Sequence, residues 1–152
     1  MSNFPSAGAQ EPNVVVAVWA PVYIIARAVA DSLAASGVCG IISASTRLPE
    51  LLVACEANAG CILVCDGSCL GHLHYLLQHE SALMAQKIVA FGLSDSNSVL
   101  RCCATLNVRA LLSHDAEMSE LGRAVVSAAA GEFYCSKTFN REQFGQWAQE
   151  CQ

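Results

Sequence analysis

Short unbroken apolar runs recur along the chain, from Val14 to Val18, Val38 to Ile42, Cys61 to Cys65, Ile88 to Phe91 and Ala110 to Leu112, and stretches of helical period separate them. A run that is apolar on both faces suits a strand in the middle of a sheet with helices on either side, the usual setting of parallel strands. After the first run, Val22, Ile25, Ala26, Val29 and Leu33 fall at i, i+3, i+4, i+7 and i+11, one face of a helix, and Ser36-Gly37 supplies its stop. A second helix is predicted after Pro49, through Leu51, Leu52 and Cys55 to Ala57, with proline near its first turn. A third is predicted from Leu73 to Glu80 or beyond, and a fourth from Asn97 to Leu106, ending at Asn107. The fifth, from Glu117 to Ala130, turns Met118, Leu121, Val125 and Ala128 inward and stops at Gly131. The order is (βα)₅. Right-handed crossovers make this an α/β, doubly wound, parallel five-stranded sheet, with its functional crevice at the C-terminal ends of the strands.

The flanks differ from this pattern. Met1 to Pro12 is small, polar and aperiodic, and is expected to be a disordered leader. The domain is expected to span residues 13–136, followed at 137–152 by a linker whose Phe144 and Trp147, three apart, mark a short helix. At 152 residues a single domain is the default.

Composition adds a partner to the picture. Charged residues make up only 14% and hydrophobic residues 54%, so the surface carries more apolar area than an average domain shows. A net charge of −5, with eight Lys and Arg, leaves no basic face for nucleic acid or anionic lipid. The longest apolar run, from Val14, is broken by Pro21 and Arg27, short of the ~20 residues a bilayer span needs. No basic segment precedes it, so a secretory signal is not expected and the location is expected to be cytoplasmic. The nine cysteines, odd in number and including the adjacent Cys102-Cys103, then point to reduced, buried small hydrophobes rather than to a disulfide framework.

The strand ends carry the candidate chemistry. Cys61-Ile62-Leu63-Val64-Cys65-Asp66 closes an apolar strand on an aspartate and continues Gly67-Ser68-Cys69-Leu70-Gly71. Further on stand Asn107-Val108-Arg109-Ala110-Leu111-Leu112-Ser113-His114-Asp115-Ala116 and Ala128-Ala129-Ala130-Gly131-Glu132-Phe133-Tyr134-Cys135-Ser136. From about Asn13 to Ser136 the chain resembles the receiver domain of NarL/LuxR-type response regulators, the last segment being the most specific to that subfamily. The resemblance implies a flavodoxin-like fold and makes Asp66 the position of the phosphoacceptor. It keeps the family's glycine as Gly71, with Leu70 where proline is usual.

Most of the phosphorylation apparatus that the resemblance implies is missing. The two acidic residues that help hold Mg²⁺ are Val18 and Trp19, with a bulky indole where a carboxylate would stand. Gly92 replaces the phosphoryl-binding hydroxyl residue, with Ser94 the nearest hydroxyl, His114 replaces the lysine, and Leu111 replaces the switch aromatic. Since phosphoryl transfer depends on positioning and charge neutralisation, Asp66 alone is expected to be a very slow acceptor, which makes the chain a degenerate pseudo-receiver. His114 is a candidate pH-sensitive partner for Asp66, or simply a loop histidine.

Other chemistry is sparse. Cys61 and Cys65 would lie about 13 Å apart on a strand, too far to share an ion, so neither they nor a Cys69/His72 pair, with His74 nearby, are expected to hold a metal. Cys65, Cys69 and Cys135, near element ends, are the candidate redox thiols. No nucleophile with a positioned base, phosphate loop or cofactor motif is present, so neither an enzyme nor a cofactor is expected.

The function expected is a phosphorylation-independent regulatory domain of two-component signalling and transcription regulation, acting through dimerisation. It would control an attached or partner DNA-binding domain, and DNA would be met only through a C-terminal helix-turn-helix domain absent from this chain. A homodimer is expected through the first and fifth helices, where Tyr23, Ile24 and Ala28 face outward beside Arg27, and Gly122, Val126 and Ala129 beside Arg123. The alternative is a sensor that binds a small-molecule ligand or a redox signal at the crevice vacated by Mg²⁺.

Overall fold

The computed structural model describes residues 14–71 and 78–150. The expected leader lies outside them, as does most of the third predicted helix. Six parallel strands, β1 (Val15–Trp19), β2 (Gly40–Ser45), β3 (Ile62–Asp66), β4 (Lys87–Leu93), β5 (Ala110–Ser113) and β6 (Tyr134–Cys135), form one sheet in the order β2-β1-β3-β4-β5-β6. Between them run α1 (Tyr23–Ser36), α2 (Leu48–Ala57), a 3₁₀ turn at Gly67–Gly71, α3 (Glu80–Met84), α4 (Asn97–Thr105) and α5 (Met118–Ala129), with α6 (Arg141–Glu150) last.

The layering follows from the two-sided apolar strands. Val16, Val18, Ile62, Val64, Ala110 and Leu112 face one core, closed by Ala26, Val29, Ala30 and Leu33 of α1 and Leu121, Ala124, Val125 and Ala128 of α5. Their alternates Ala17, Trp19, Leu63, Cys65 and Leu111 face the other, closed by α2, α4 and α6. The helix stops lie where left-handed backbone is needed: Gly37 at φ 79°, Gly131 at φ 83°, and Asn107, the only described non-glycine residue with positive φ, at 57°.

Three departures from the predicted pattern are local. Val22 and Ile25, expected on the core face of α1, are exposed, Ile25 to 38%, so the buried stripe of α1 begins at Ala26. Met118 is 40% exposed at the start of α5, whose buried residues begin at Leu121. The sixth strand is an addition to the expected five. After Gly131 reverses the chain, Tyr134 N–H donates to Arg109 O at 3.1 Å and Ser136 N–H to Leu111 O at 2.8 Å, so this two-residue segment covers the edge of β5.

Candidate functional site at the strand ends

Asp66 stands at the end of β3, between Trp19 at the end of β1 and the irregular end of β4, and is half-buried. Its Oδ1 accepts from Ser68 N–H and from Ser68 Oγ–H, both at 2.9 Å, so the carboxylate caps the 3₁₀ turn that follows it. On the other side β4 departs from regular pairing between Ala90 and Leu93, and Gly92 takes φ +65°. A Cβ on Gly92 would lie 3.7 Å from Asp66 Oδ1, and one on Gly67 would meet Gly92 O at 3.1 Å and Leu93 Cα at 3.2 Å. Gly67 and Gly92 thus let the β3 turn and the β4 bulge pack backbone to backbone at the crevice.

The positions that would carry the acidic pair lie inside the protein. Val18 is fully buried in the α1/α5 core, while Trp19, on the opposite face, is buried in the α2 core and donates from Nε1 to Thr46 O at 3.3 Å. The expected crevice-filling indole is therefore corrected: alternation along β1 turns residue 19 into the core, and a backbone carbonyl of the β2–α2 loop holds the ring there.

His114 is exposed and does not pair with Asp66. Its ring lies 3.6 Å from Asp115 Oδ1 and 3.5 Å from Leu93 O, and its backbone N–H donates to Leu93 O, so it follows the β4 bulge. Leu111 is fully buried, and with Phe139, Phe144 and Trp147 it lines a cavity of about 190 Å³ beneath α6. Ser94 is exposed.

The cysteines expected to be redox-active are poorly placed for it. Cys65 is wholly enclosed, and burial, then its neighbours Cys103 and Cys69, push its thiol well above the ordinary range. Cys69 is buried and pushed up to about 12, by burial first and Asp66 second. Cys135 is half-buried and raised by burial, with Arg141 acting against it. For Cys65 and Cys69 the exposed-thiolate expectation is thus corrected, since both lie in the core, while Cys135 lines a groove of about 490 Å³ beside Tyr134 and Ser136. Among the described residues no group of three or more His, Cys, Asp or Glu could hold a metal ion, and His72 and His74 lie outside them.

Two features went unnoticed in the sequence. Glu120 Oε2 accepts from Tyr134 Oη–H at 3.0 Å and Ser136 Oγ–H at 3.2 Å, while Ser136 Oγ accepts from Ser113 N–H at 3.1 Å, tying α5 to the added strand. Burial, then that hydrogen bond to Glu120, raises the Tyr134 phenol. The supposed linker is also a docked helix. Phe144 and Trp147 are buried, Phe133 stacks on Phe144 at 5.2 Å, and the Arg101 guanidinium of α4 sits 4.7 Å above the Trp147 ring. The i, i+3 aromatic pair was the one available signal, and it marked the helix but not its berth.

The expected pairing face is mostly on the surface. Ile24 is 73% exposed, Tyr23 55% and Val126 46%, with Ala28 and Arg123 also exposed and Arg27 held to Asp31 at 3.0 Å. Gly122 is a correction. It is buried against Val38 of its own chain, 3.7 Å from a built Cβ, because the end of α1 crosses α5 there. Ala129 is half-buried and its carbonyl accepts from Lys87 Nζ at 3.2 Å. Beside Gly122 a groove of about 480 Å³ opens between Val38, Met118 and Val126.

No protein-family model matches this sequence, and no curated protein does. Solved structures match in fold. The non-phosphorylated receiver domain of the stress response regulator RcsB from Escherichia coli superposes with a TM-score of 0.62 at 14% identity, over 82% of this chain and 99% of that one. A LuxR family DNA-binding response regulator from Silicibacter pomeroyi gives 0.60 at 15%, over 84% and 99%. The structure of two RcsB dimers bound to two parallel DNAs gives 0.63 at 12%, over 83% of this chain, which spans 64% of that RcsB chain. At such identities the likeness is one of fold, and the fold is that of a response-regulator receiver domain.

Proposed function

We propose that this chain is a pseudo-receiver, a regulatory rather than catalytic domain that works without aspartyl phosphorylation. It pairs with a second copy through α1 and α5, and so sets the activity of an attached or partner DNA-binding domain of the NarL/LuxR type. The observation that carries the first half is the burial of Val18 and Trp19 in opposite cores. No carboxylate joins Asp66 from the end of β1 to hold a hard cation, and Asp66 itself is engaged by Ser68. The net charge of −5 favours regulation through a partner over direct DNA contact by this domain.

The second half rests on Tyr23, Ile24 and Val126, large apolar side chains that a solvated helix pair would not leave bare. A second copy is the occupant favoured here, because closed two-fold pairs are the commonest assembly and need only one self-complementary surface. Sedimentation velocity of the wild-type chain should show a dimer at micromolar concentration, and Ile24→Glu a monomer with unchanged circular dichroism. A wild-type chain that stays monomeric at high micromolar concentration refutes the pairing.

A further inference from the structure

Eight cysteines lie among the described residues, all in the thiol form. In only one described pair do two thiols touch: Cys61 Sγ donates to Cys55 Sγ at 3.5 Å, joining the end of α2 to the residue before β3. Neither is a candidate that spacing along a strand singles out, because the contact runs across a turn.

The turn holds the two sulfurs in register. Asn58 N–H donates to Cys55 O at 3.1 Å, Cys61 N–H donates to Asn58 O at 3.0 Å, and Asn58 Nδ2–H donates to Ala54 O at 2.8 Å. One asparagine thus ties both cysteine backbones, and Gly60, at φ +80°, completes the reversal. Bridging the sulfurs means closing 3.5 Å to the ~2 Å of a disulfide, across a turn whose backbone hydrogen bonds hold the two residues close. A metal is disfavoured, since a structural zinc takes four ligands and the described residues offer no such group.

We propose that Cys55 and Cys61 are a redox modification site, forming a reversible disulfide by exchange with a small-molecule disulfide of the glutathione class. Cys55 thiolate attacks one sulfur of oxidised glutathione, making a mixed disulfide and releasing one glutathione thiolate, which takes up a proton. Cys61 then loses its proton to solvent, its sulfur attacks Cys55 Sγ, and the second glutathione leaves. Two protein thiols and one glutathione disulfide become one protein disulfide and two glutathione thiols. Cys55 attacks first because Cys61 Sγ–H donates to its sulfur, which favours the Cys55 thiolate against the burial that disfavours it. Burial raises Cys39, Cys65, Cys69, Cys102 and Cys103 with no such thiol donor among the described residues. Both sulfurs are buried, so reaction needs the last turn of α2 to open, and beyond that turn and the half-buried Asn58 the chain is exposed at Ala59 and Gly60.

The test is equilibration of the full chain across glutathione buffers of rising oxidised-to-reduced ratio, then alkylation and peptide mapping. The same buffers are applied once to the folded chain and once during refolding from denaturant. The expected product is a Cys55–Cys61-linked peptide lighter by two hydrogens, reversed by dithiothreitol, with a higher melting temperature for the bridged chain. Cys61→Ser should accumulate a glutathione adduct on Cys55, while Cys55→Ser should leave Cys61 free. The proposal is overturned if both thiols remain alkylatable at the most oxidising ratio in both arms, or if the internal bridge joins a different pair.

Discussion

Asp66 carries a carboxylate with no acidic residue at 18 or 19, where single side chains fill the cores instead. Restoring acidic residues by Val18→Asp with Trp19→Asp is expected to cost at least ~3 kcal/mol, because it removes a buried indole and places carboxylates in two closed cores. Urea denaturation should show this, and under the pseudo-receiver proposal any fraction that folds should show no phosphorylation-dependent change in assembly, because Gly92, His114 and Leu111 offer no hydroxyl, lysine or aromatic ring in the places where receivers carry them. In the wild-type chain, Mg²⁺ with beryllium fluoride should leave the oligomeric state unchanged. A stoichiometric, Mg²⁺-dependent phosphoprotein lost in Asp66→Ala would contradict the pseudo-receiver reading. At Gly92, where φ is +65° but a Cβ meets only ordinary contacts, alanine should cost ~1–2 kcal/mol through backbone strain alone. At Gly67, where backbone atoms stand within 3.2 Å of a built Cβ, alanine should cost more, and the order of the two urea midpoints checks this.

Among the elements, α6 is the short helix that Phe144 and Trp147 marked, and its docking on the core is what the sequence did not show. Its ten residues have a polar composition suited to a linker, yet two aromatics anchor it on α4 and over Leu111. Leu111 is smaller than an aromatic ring, and Phe139, Phe144 and Trp147 close the space around it. Trp147→Ala is expected to lower stability by about 3 kcal/mol, whereas Arg101→Ala, which removes only the cation over the ring, should cost ~0.5–1 kcal/mol. Equilibrium unfolding followed by circular dichroism separates the two magnitudes, and equal losses would mean that α6 is not held by its indole. Glu120→Ala tests the join between α5 and β6. It removes the shared acceptor of the Tyr134 and Ser136 hydroxyls, and because Tyr134 borders an open groove the cost should be ~0.5–1.5 kcal/mol.

At the scale of the whole molecule, burial of apolar area in a self-paired seam predicts how assembly responds to conditions. The melting temperature should rise with protein concentration by mass action and change little with salt, because Tyr23, Ile24 and Val126 carry no charge to screen. A dimer that falls apart as salt is raised would instead place the seam at Arg27 and Arg123. Melting that responds to a small ligand but not to concentration would favour a sensor over a pairing domain.

Periodicity alone determined the alternation of strands and helices, the two-layered core and the glycine or asparagine stops, because a run apolar on both faces has one stable home and a left-handed turn has few tolerant residues. Residue identity put Asp66 at the end of an apolar run, and the resemblance to receivers singled out positions 18 and 19, where no acid stands. Tertiary structure decided what depends on distance across the fold. It sent Trp19 inward, tied Asp66 to Ser68, enclosed Cys65 and Cys69, and moved the thiol contact to Cys55 and Cys61, which a turn brings together. It also seated α6, because a short amphipathic segment shows that it has an apolar face and not which surface will cover it.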